Sequence, residues 1–213
     1  MDISSASAAS DNADVAGADK DRVTHTVEGI VIRYIILNGP PGSGKTSIAV
    51  ELVRALRKEL GDADLVTSDS FSAPLKHFFG AALAEKYQNM DKEAQRPELS
   101  GRSVRQGLIE LAEGHCKPLY GDDIFGKWLV HRSLKHPHKR PEIVVVDDGG
   151  FIAEICAVPN RFVVRVHRNG KDFRGDSRGY YDPPDWILMN NSSFADMWMD
   201  VGDLVKHLTE SDR

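Results

Sequence analysis

The eight residues Gly39-Pro-Pro-Gly-Ser-Gly-Lys-Thr46 constrain this chain more than any other stretch. They follow a β-branched apolar run, Ile30–Leu37, and lead into Lys45–Leu60. There Ile48, Ala49, Leu52, Val53, Leu56 and Leu60 form one helical stripe, opposite Glu51, Arg54, Lys58 and Glu59. A buried strand that turns into an amphipathic helix through Gly-x-x-x-x-Gly-Lys-Thr has the spacing of a phosphate cradle. Glycines let backbone N–H groups ring an anion with no Cβ in the way, and the helix N-terminus adds partial positive charge. Gly39, Gly42, Ser43, Gly44, Lys45 and Thr46 are therefore the candidate residues for holding ATP phosphates. Lys45 has the reach for the β- and γ-phosphates, and the Thr46 hydroxyl can join a Mg²⁺ shell.

Beyond the loop, short apolar runs alternate with helix-like stretches. Strands are expected at Ala63–Thr67, Glu142–Asp147, Arg161–His167 and Trp186–Met189, besides Ile30–Leu37. Helices are expected from Ser72 to about Tyr87, Ser100 to about Gly114, Asp122–Leu134 (weakened by Gly126) and Phe151–Cys156. A closing helix follows Ser193 and Asp196, which are spaced as a capping box. Alternating strands and helices, with near-continuous apolar strands, predict an α/β fold: a parallel sheet covered by helices on both faces. The length of 213 residues suits one domain. Residues 1–26 are set apart, because Met1–Asp19 is almost entirely Ser, Ala, Asp, Asn and Gly and has too little apolar surface to offset its ordering entropy. The expected organisation is thus a disordered tail over 1–26 and one domain over 27–213.

Composition narrows the classes of function. The net charge of −5 argues against a general nucleic-acid coat protein, so no stable nucleic-acid partner is expected. Apolar runs such as Ile143–Val146 are far too short to span a bilayer, and no membrane partner is expected. Two cysteines, Cys116 and Cys156, without a Cys-x-x-Cys spacing, read as reduced packing thiols of a cytoplasmic protein.

Three further clusters carry candidate chemistry. Asp147 and Asp148 end the most apolar strand, where an acidic group can hold Mg²⁺ directly or through water; the spacing does not choose between them. The segment Arg161–Arg178 is basic and punctuated by Gly170, Gly175 and Gly179. A mobile cationic loop suits a transferring phosphoryl group, with Arg168 and Arg174 or Arg178 as the candidate catalytic cations. Arg102, Arg105 and Gln106 fall at i, i+3 and i+4 on one helix face, where arginine forks suit a phosphate and Gln a base edge. With Lys76 they form the candidate acceptor set. His136-Pro-His138-Lys-Arg140 reads as an exposed loop.

The order of these pieces resembles a known family. The glycine loop is followed by Phe71-Ser-Ala-Pro-Leu-Lys76, Arg102-Ser-Val-Arg-Gln106, and Val144-Val-Val-Asp-Asp148 with Phe151 and Glu154 behind it. Val164-Arg-Val-His-Arg168 and Asp185-Trp-Ile-Leu-Met-Asn190 complete the series. Together they are similar to the deoxynucleoside monophosphate kinases of bacteriophages and their bacterial relatives, over roughly Ile32 to Val205. The resemblance implies an adenylate-kinase-like P-loop core with five parallel strands in the order 2-3-1-4-5. It also implies a nucleoside monophosphate (NMP) binding region over about 70–140, a lid over about 168–183, and transfer from ATP-Mg²⁺ to a deoxynucleotide. Three positions differ from the family pattern: Gly150 where an Arg is common, Ala153 where an Asn is common, and Asp176-Ser-Arg-Gly-Tyr180 after the lid. The expected reaction passes the γ-phosphoryl group of ATP to an NMP in the cytoplasm, the host's if the chain is phage-encoded. Another phosphorylated metabolite or a hydroxylated DNA base as acceptor, a nucleotide-hydrolysing switch, and a homodimer all stay open.

Overall fold

The computed structural model describes residues 31–135, 141–191 and 193–210, apart from the side chain of Phe194. The tail, Ile30 and the His136–Arg140 loop lie outside the described residues.

Five strands form one parallel sheet: β1 (Arg33–Asn38), β2 (Val66–Asp69), β5 (Ile143–Gly149), β6 (Arg161–His167) and β7 (Trp186–Met189). A separate antiparallel ribbon, β3 (Gln95–Arg96) with β4 (Arg102–Ser103), takes two numbers in between. The sheet order is β2-β5-β1-β6-β7. Counting only the strands of the main sheet, this is the expected 2-3-1-4-5.

Strand parity sorts side chains between the two faces. Ile35 and Leu37 of β1, Val145 of β5 and Val164 and Val166 of β6 pack under α1 (Lys45–Leu60) and α7 (Phe194–Glu210). Tyr34, Ile36, Val144, Val146 and Val163 face the other way, onto Phe71 and Leu75 near α2 (Ala73–Ala82), Ile124, Phe125 and Leu129 of α5 (Ile124–Leu134) and Ile155 of α6 (Ile152–Cys156). Gly126, which weakens α5 as a helix, is what lets α5 close on α6. A Cβ there would run into the Glu154 carbonyl oxygen and lie 2.9 Å from the Ala157 Cβ.

Three elements depart from expectation, each for a local reason. The second strand starts at Val66, because Asp62 caps a 3₁₀ turn over Ala63–Leu65 by accepting from the Asp64 N–H at 2.8 Å. Helix α2 stops at Ala82, not near Tyr87. Ala84 adopts a left-handed φ of 50°, and the Glu85 N–H closes back on the Gly80 carbonyl at 3.1 Å. The third expected helix begins at Val104, after Ser100 and Gly101 turn the chain into the ribbon with φ of 54° and 79°. It runs as α3 (Val104–Leu111), widens into a π-turn over Ala112–Cys116, and continues as α4 (Lys117–Tyr120). Pro118 has no N–H for the ladder and its ring crowds the carbonyl one turn back, so the helix widens just before it. Ser193 and Asp196 make the expected reciprocal cap of α7.

Candidate active site

The glycine loop runs from the end of β1 into α1 across the carboxyl edge of the sheet. Gly42 and Gly44 take φ of 73° and 95°, a left-handed conformation that turns successive N–H groups toward one side. Gly39 is required for space: a Cβ there would lie 2.5 Å from the Val166 carbonyl oxygen. Ser43 is fully buried beneath the loop.

Lys45, the first residue of α1, folds its ammonium back over the loop. The Nζ donates to the Gly39 carbonyl at 2.7 Å and the Pro40 carbonyl at 2.9 Å. Burial, with the nearby Arg178 guanidinium, lowers its pKa to about 8 despite Asp148, Asp147 and Asp176.

The structure separates the two strand-end aspartates. Asp147 Oδ2 accepts from the Thr46 hydroxyl at 3.2 Å, and its Oδ1 is buried with no hydrogen-bond partner. Burial, reinforced by the adjacent Asp148 charge, raises the Asp147 carboxyl above the usual range. Asp148 points to the other face of the sheet and is fully engaged there. Its Oδ1 accepts from the Phe71 N–H at 2.7 Å; its Oδ2 accepts from the Ser72 N–H at 3.1 Å and the Ser72 hydroxyl at 2.5 Å. Lys76 adds an ion pair to Asp148 at 3.4 Å and donates to Ser70 Oγ at 2.9 Å. Burial works against the Lys76 charge, but Asp148 and Asp147 together hold its pKa above the ordinary value.

A hydroxyl and a carboxylate with a free buried oxygen are hard oxygen donors, which suits Mg²⁺. Among the described residues no three His, Cys, Asp or Glu side chains cluster as a metal cage.

The remaining candidates are scattered. Arg168 donates from Nη1 to the Gly42 carbonyl at 3.1 Å, beside the loop. Arg178 lies across Gly150, where a Cβ would be 2.6 Å from Arg178 Cδ, and it forks onto Asp176. That fork raises its pKa further. Arg178 thus occupies the space above Gly150, one of the positions that departs from the family pattern. Arg174 instead pairs with Asp172 and is 91% exposed, away from the loop. Arg102 pairs with Glu110 at 2.8 Å and Arg105 with Glu93, all four side chains half exposed. Gln106 is spent locally: its Oε1 accepts from the Ser103 N–H at 2.9 Å while its own N–H donates to Ser103 Oγ, a capping box for α3. Arg102 lies on β4, before α3 starts at Val104, so Arg102, Arg105 and Gln106 do not share one helix face. Cys116 is partly buried, which raises its thiol pKa, and Cys156 is exposed rather than packed.

No family model matches the chain, and no curated protein matches it. Three solved structures are similar at low identity. The chain covers 84% of its length against a protein labelled APE1195, at 16% identity and a TM-score of 0.44 over 96% of that chain. Against the dephospho-CoA kinase of Campylobacter jejuni it covers 84%, at 13% identity and 0.43 over 98% of that chain. Against a candidate kinase of Chloroflexus aurantiacus it covers 84%, at 13% identity and 0.41 over 97% of that chain.

One cavity borders the loop, and a second is lined by other segments. The first, of about 350 Å³, is lined by Gly44, Ser47, Arg168, Asn169, Asn190 and Asn191, with Ser193 and Met197 behind. The other, of about 390 Å³, lies between the π-turn and α6, lined by Glu113, Lys117, Asp122, Phe151, Ala153 and Ser177. On its inner wall Lys117 and Glu154 form a buried ion pair at 3.0 Å, with the Lys117 ammonium against the Phe151 ring. Burial raises Glu154 to about 7 although Lys117 opposes the shift. Neither cavity was legible as a site: their walls come from five separate segments. The Asn190-Asn191 pair after the last strand was the nearest sequence signal. Among the described residues no helix is long and apolar enough to cross a membrane.

Proposed function

We propose that residues 27–213 are an ATP-dependent kinase domain that phosphorylates a nucleoside monophosphate, with the acceptor region over about 70–140 and the lid over about 168–183. The observation that carries the reading is the meeting of Thr46, Asp147, Lys45 and Arg178 at the glycine loop, with a cavity of about 350 Å³ beside Gly44. A second cavity of about 390 Å³, lined in part by Ser177 next to Arg178, offers room for an acceptor.

ATP phosphates sit on the loop N–H groups, and the Lys45 ammonium leaves the Gly39 and Pro40 carbonyls for them. The donor base takes the cavity beside the loop, against Arg168 and Asn169. Thr46 and Asp147 would hold Mg²⁺, which would supply positive charge to the donor phosphates. The acceptor nucleoside takes the second cavity. Its apolar wall suits a base, and the carboxylates of Glu113 and Asp122 there repel phosphate. The acceptor phosphate then lies toward Lys76 and Arg178, with Arg105 released from Glu93 as a third cation. A phosphate oxygen is already a competent nucleophile, so no side chain needs to remove a proton. Positioning and charge stabilisation do the work, and Arg178, poised over Gly150, is the cation best placed for the transferring group.

Ala153→Leu, which fills the second cavity from a half-buried position on α6, tests the assignment. The acceptor KM should rise at least about tenfold while the ATP KM stays within about twofold, because uniform binding of one substrate is lost. Equal loss for both substrates would sink the placement of the acceptor.

A further inference from the structure

Asn190, the first residue past β7, touches the phosphate loop itself. Its backbone N–H donates to the His167 carbonyl at 2.7 Å, which extends the β6–β7 ladder by one bond and fixes where the side chain starts. From there Nδ2 donates to the Ser43 carbonyl at 2.7 Å. The side chain occupies the notch that a Cβ on Gly44 would need, well inside van der Waals contact. The Ser43–Gly44 peptide is thus held from two directions: by the left-handed φ of 95° at Gly44, and by a carboxamide anchored on the sheet edge. The Ser43 N–H closes the turn onto the Pro40 carbonyl at 3.2 Å, while its Oγ is buried without a partner, so Asn190 is the side chain that holds the Ser43 carbonyl. The same Asn190 lines the 350 Å³ cavity beside the loop.

We propose that Asn190 is a positioning residue that latches the phosphate loop, fixing the Ser43–Gly44 peptide so that the loop N–H groups face the donor phosphates before ATP arrives. The inference rests on the phosphate-loop reading but not on the identity of the acceptor. A rigid cradle needs no reordering when the anion binds, so the latch acts through preorganisation. Asn190 reaches phosphate only through the loop, so its effect must appear with a ligand that has no base.

The test measures binding of ATP and of inorganic tripolyphosphate to wild type, Asn190→Ala and Asn190→Leu by calorimetry, with melting temperatures in parallel. The Leu variant keeps the branched shape and removes the donor, so it guards against a collapsed cavity in the Ala variant. Both variants should weaken tripolyphosphate and ATP by the same factor, about three- to tenfold for one hydrogen bond. Weakening of ATP alone would make Asn190 a base contact and overturn the latch. Unchanged binding of both ligands would overturn it too. A wild type that binds neither ligand would instead bring down the phosphate-loop reading, and the latch with it.

Discussion

Asp147 and Asp148 are neighbours with opposite tasks. Sequence spacing leaves them equivalent, but strand parity does not: Val145 and Asp147 project to the α1 face, Val146 and Asp148 to the α2 face. That parity was legible in principle once the helix covering each face was known, and the covering helix is a tertiary fact. Asp147→Asn should keep the melting temperature within a few degrees and cut Mg²⁺-dependent turnover by about 10²-fold or more, since charge at the transferring phosphates is lost. Asp148→Asn should do the reverse first. It weakens the charged acceptor of the Phe71 and Ser72 N–H groups, at about 1.5–3 kcal/mol for such bonds, and the melting temperature should drop clearly. Lys45 adds a pH signature. Its pKa of about 8 lies below the ordinary 10.5, so the ammonium is lost as pH rises through 8. ATP affinity should therefore fall between about pH 8 and 10 in wild type, and that slope should vanish in Lys45→Met, read as Kd against pH.

Among the elements, what the sequence made legible was what hydrophobic period and a short motif can encode. The loop, α1, α5, β6, β7 and the α7 cap lie where the pattern puts them. What it hid were ends closed by atypical residues and faces paired by tertiary contact. Ala84 ends α2 in a left-handed turn usually given to glycine, and Pro118 widens α3–α4 instead of breaking it. The arginine face was not legible as drawn because Arg102 lies on β4, before α3 begins, while Arg105 pairs with Glu93 and Gln106 caps the helix. Gly126 makes a sharp prediction at this level. Gly126→Ala improves helix propensity by up to about 1 kcal/mol, but its Cβ meets the Glu154 carbonyl, and overpacking of this kind costs about 1–3 kcal/mol. The net effect should be a lower melting temperature. The neighbouring Glu154 has a folded pKa of about 7, raised from 4.5. The folded state then binds more protons than the unfolded one between those values, so its contribution is fully present below pH 4.5 and is lost as pH rises through 7. Thermal melts of wild type and Glu154→Gln across pH 5 to 8 should show the wild type losing stability relative to the variant as pH increases.

For the molecule as a whole, the sheet order brings the chemistry together at one edge. Strand β1 delivers the loop, β5 delivers Asp147, β6 leads to Arg168 and Arg178, and β7 leads to Asn190. In open α/β sheets ligands bind at this carboxyl edge, where the strand order reverses. The α2–α4 region rises beside it on a satellite core of Phe79, Met90 and Val104, and its far wall closes the second cavity. On the proposed reading, the cavity beside the loop takes the donor, the second cavity takes the acceptor, and Lys45 and Arg178 supply the cations. The most direct measurement is ADP release by purified full-length protein with ATP-Mg²⁺ and each ribo- and deoxynucleoside monophosphate in turn, with products identified by ³¹P NMR. The account predicts ADP release that depends on at least one acceptor, one new nucleoside diphosphate per ADP, and a fall of about 10²- to 10³-fold in Lys45→Ala. ADP release that gives inorganic phosphate and does not respond to any nucleoside monophosphate would contradict it.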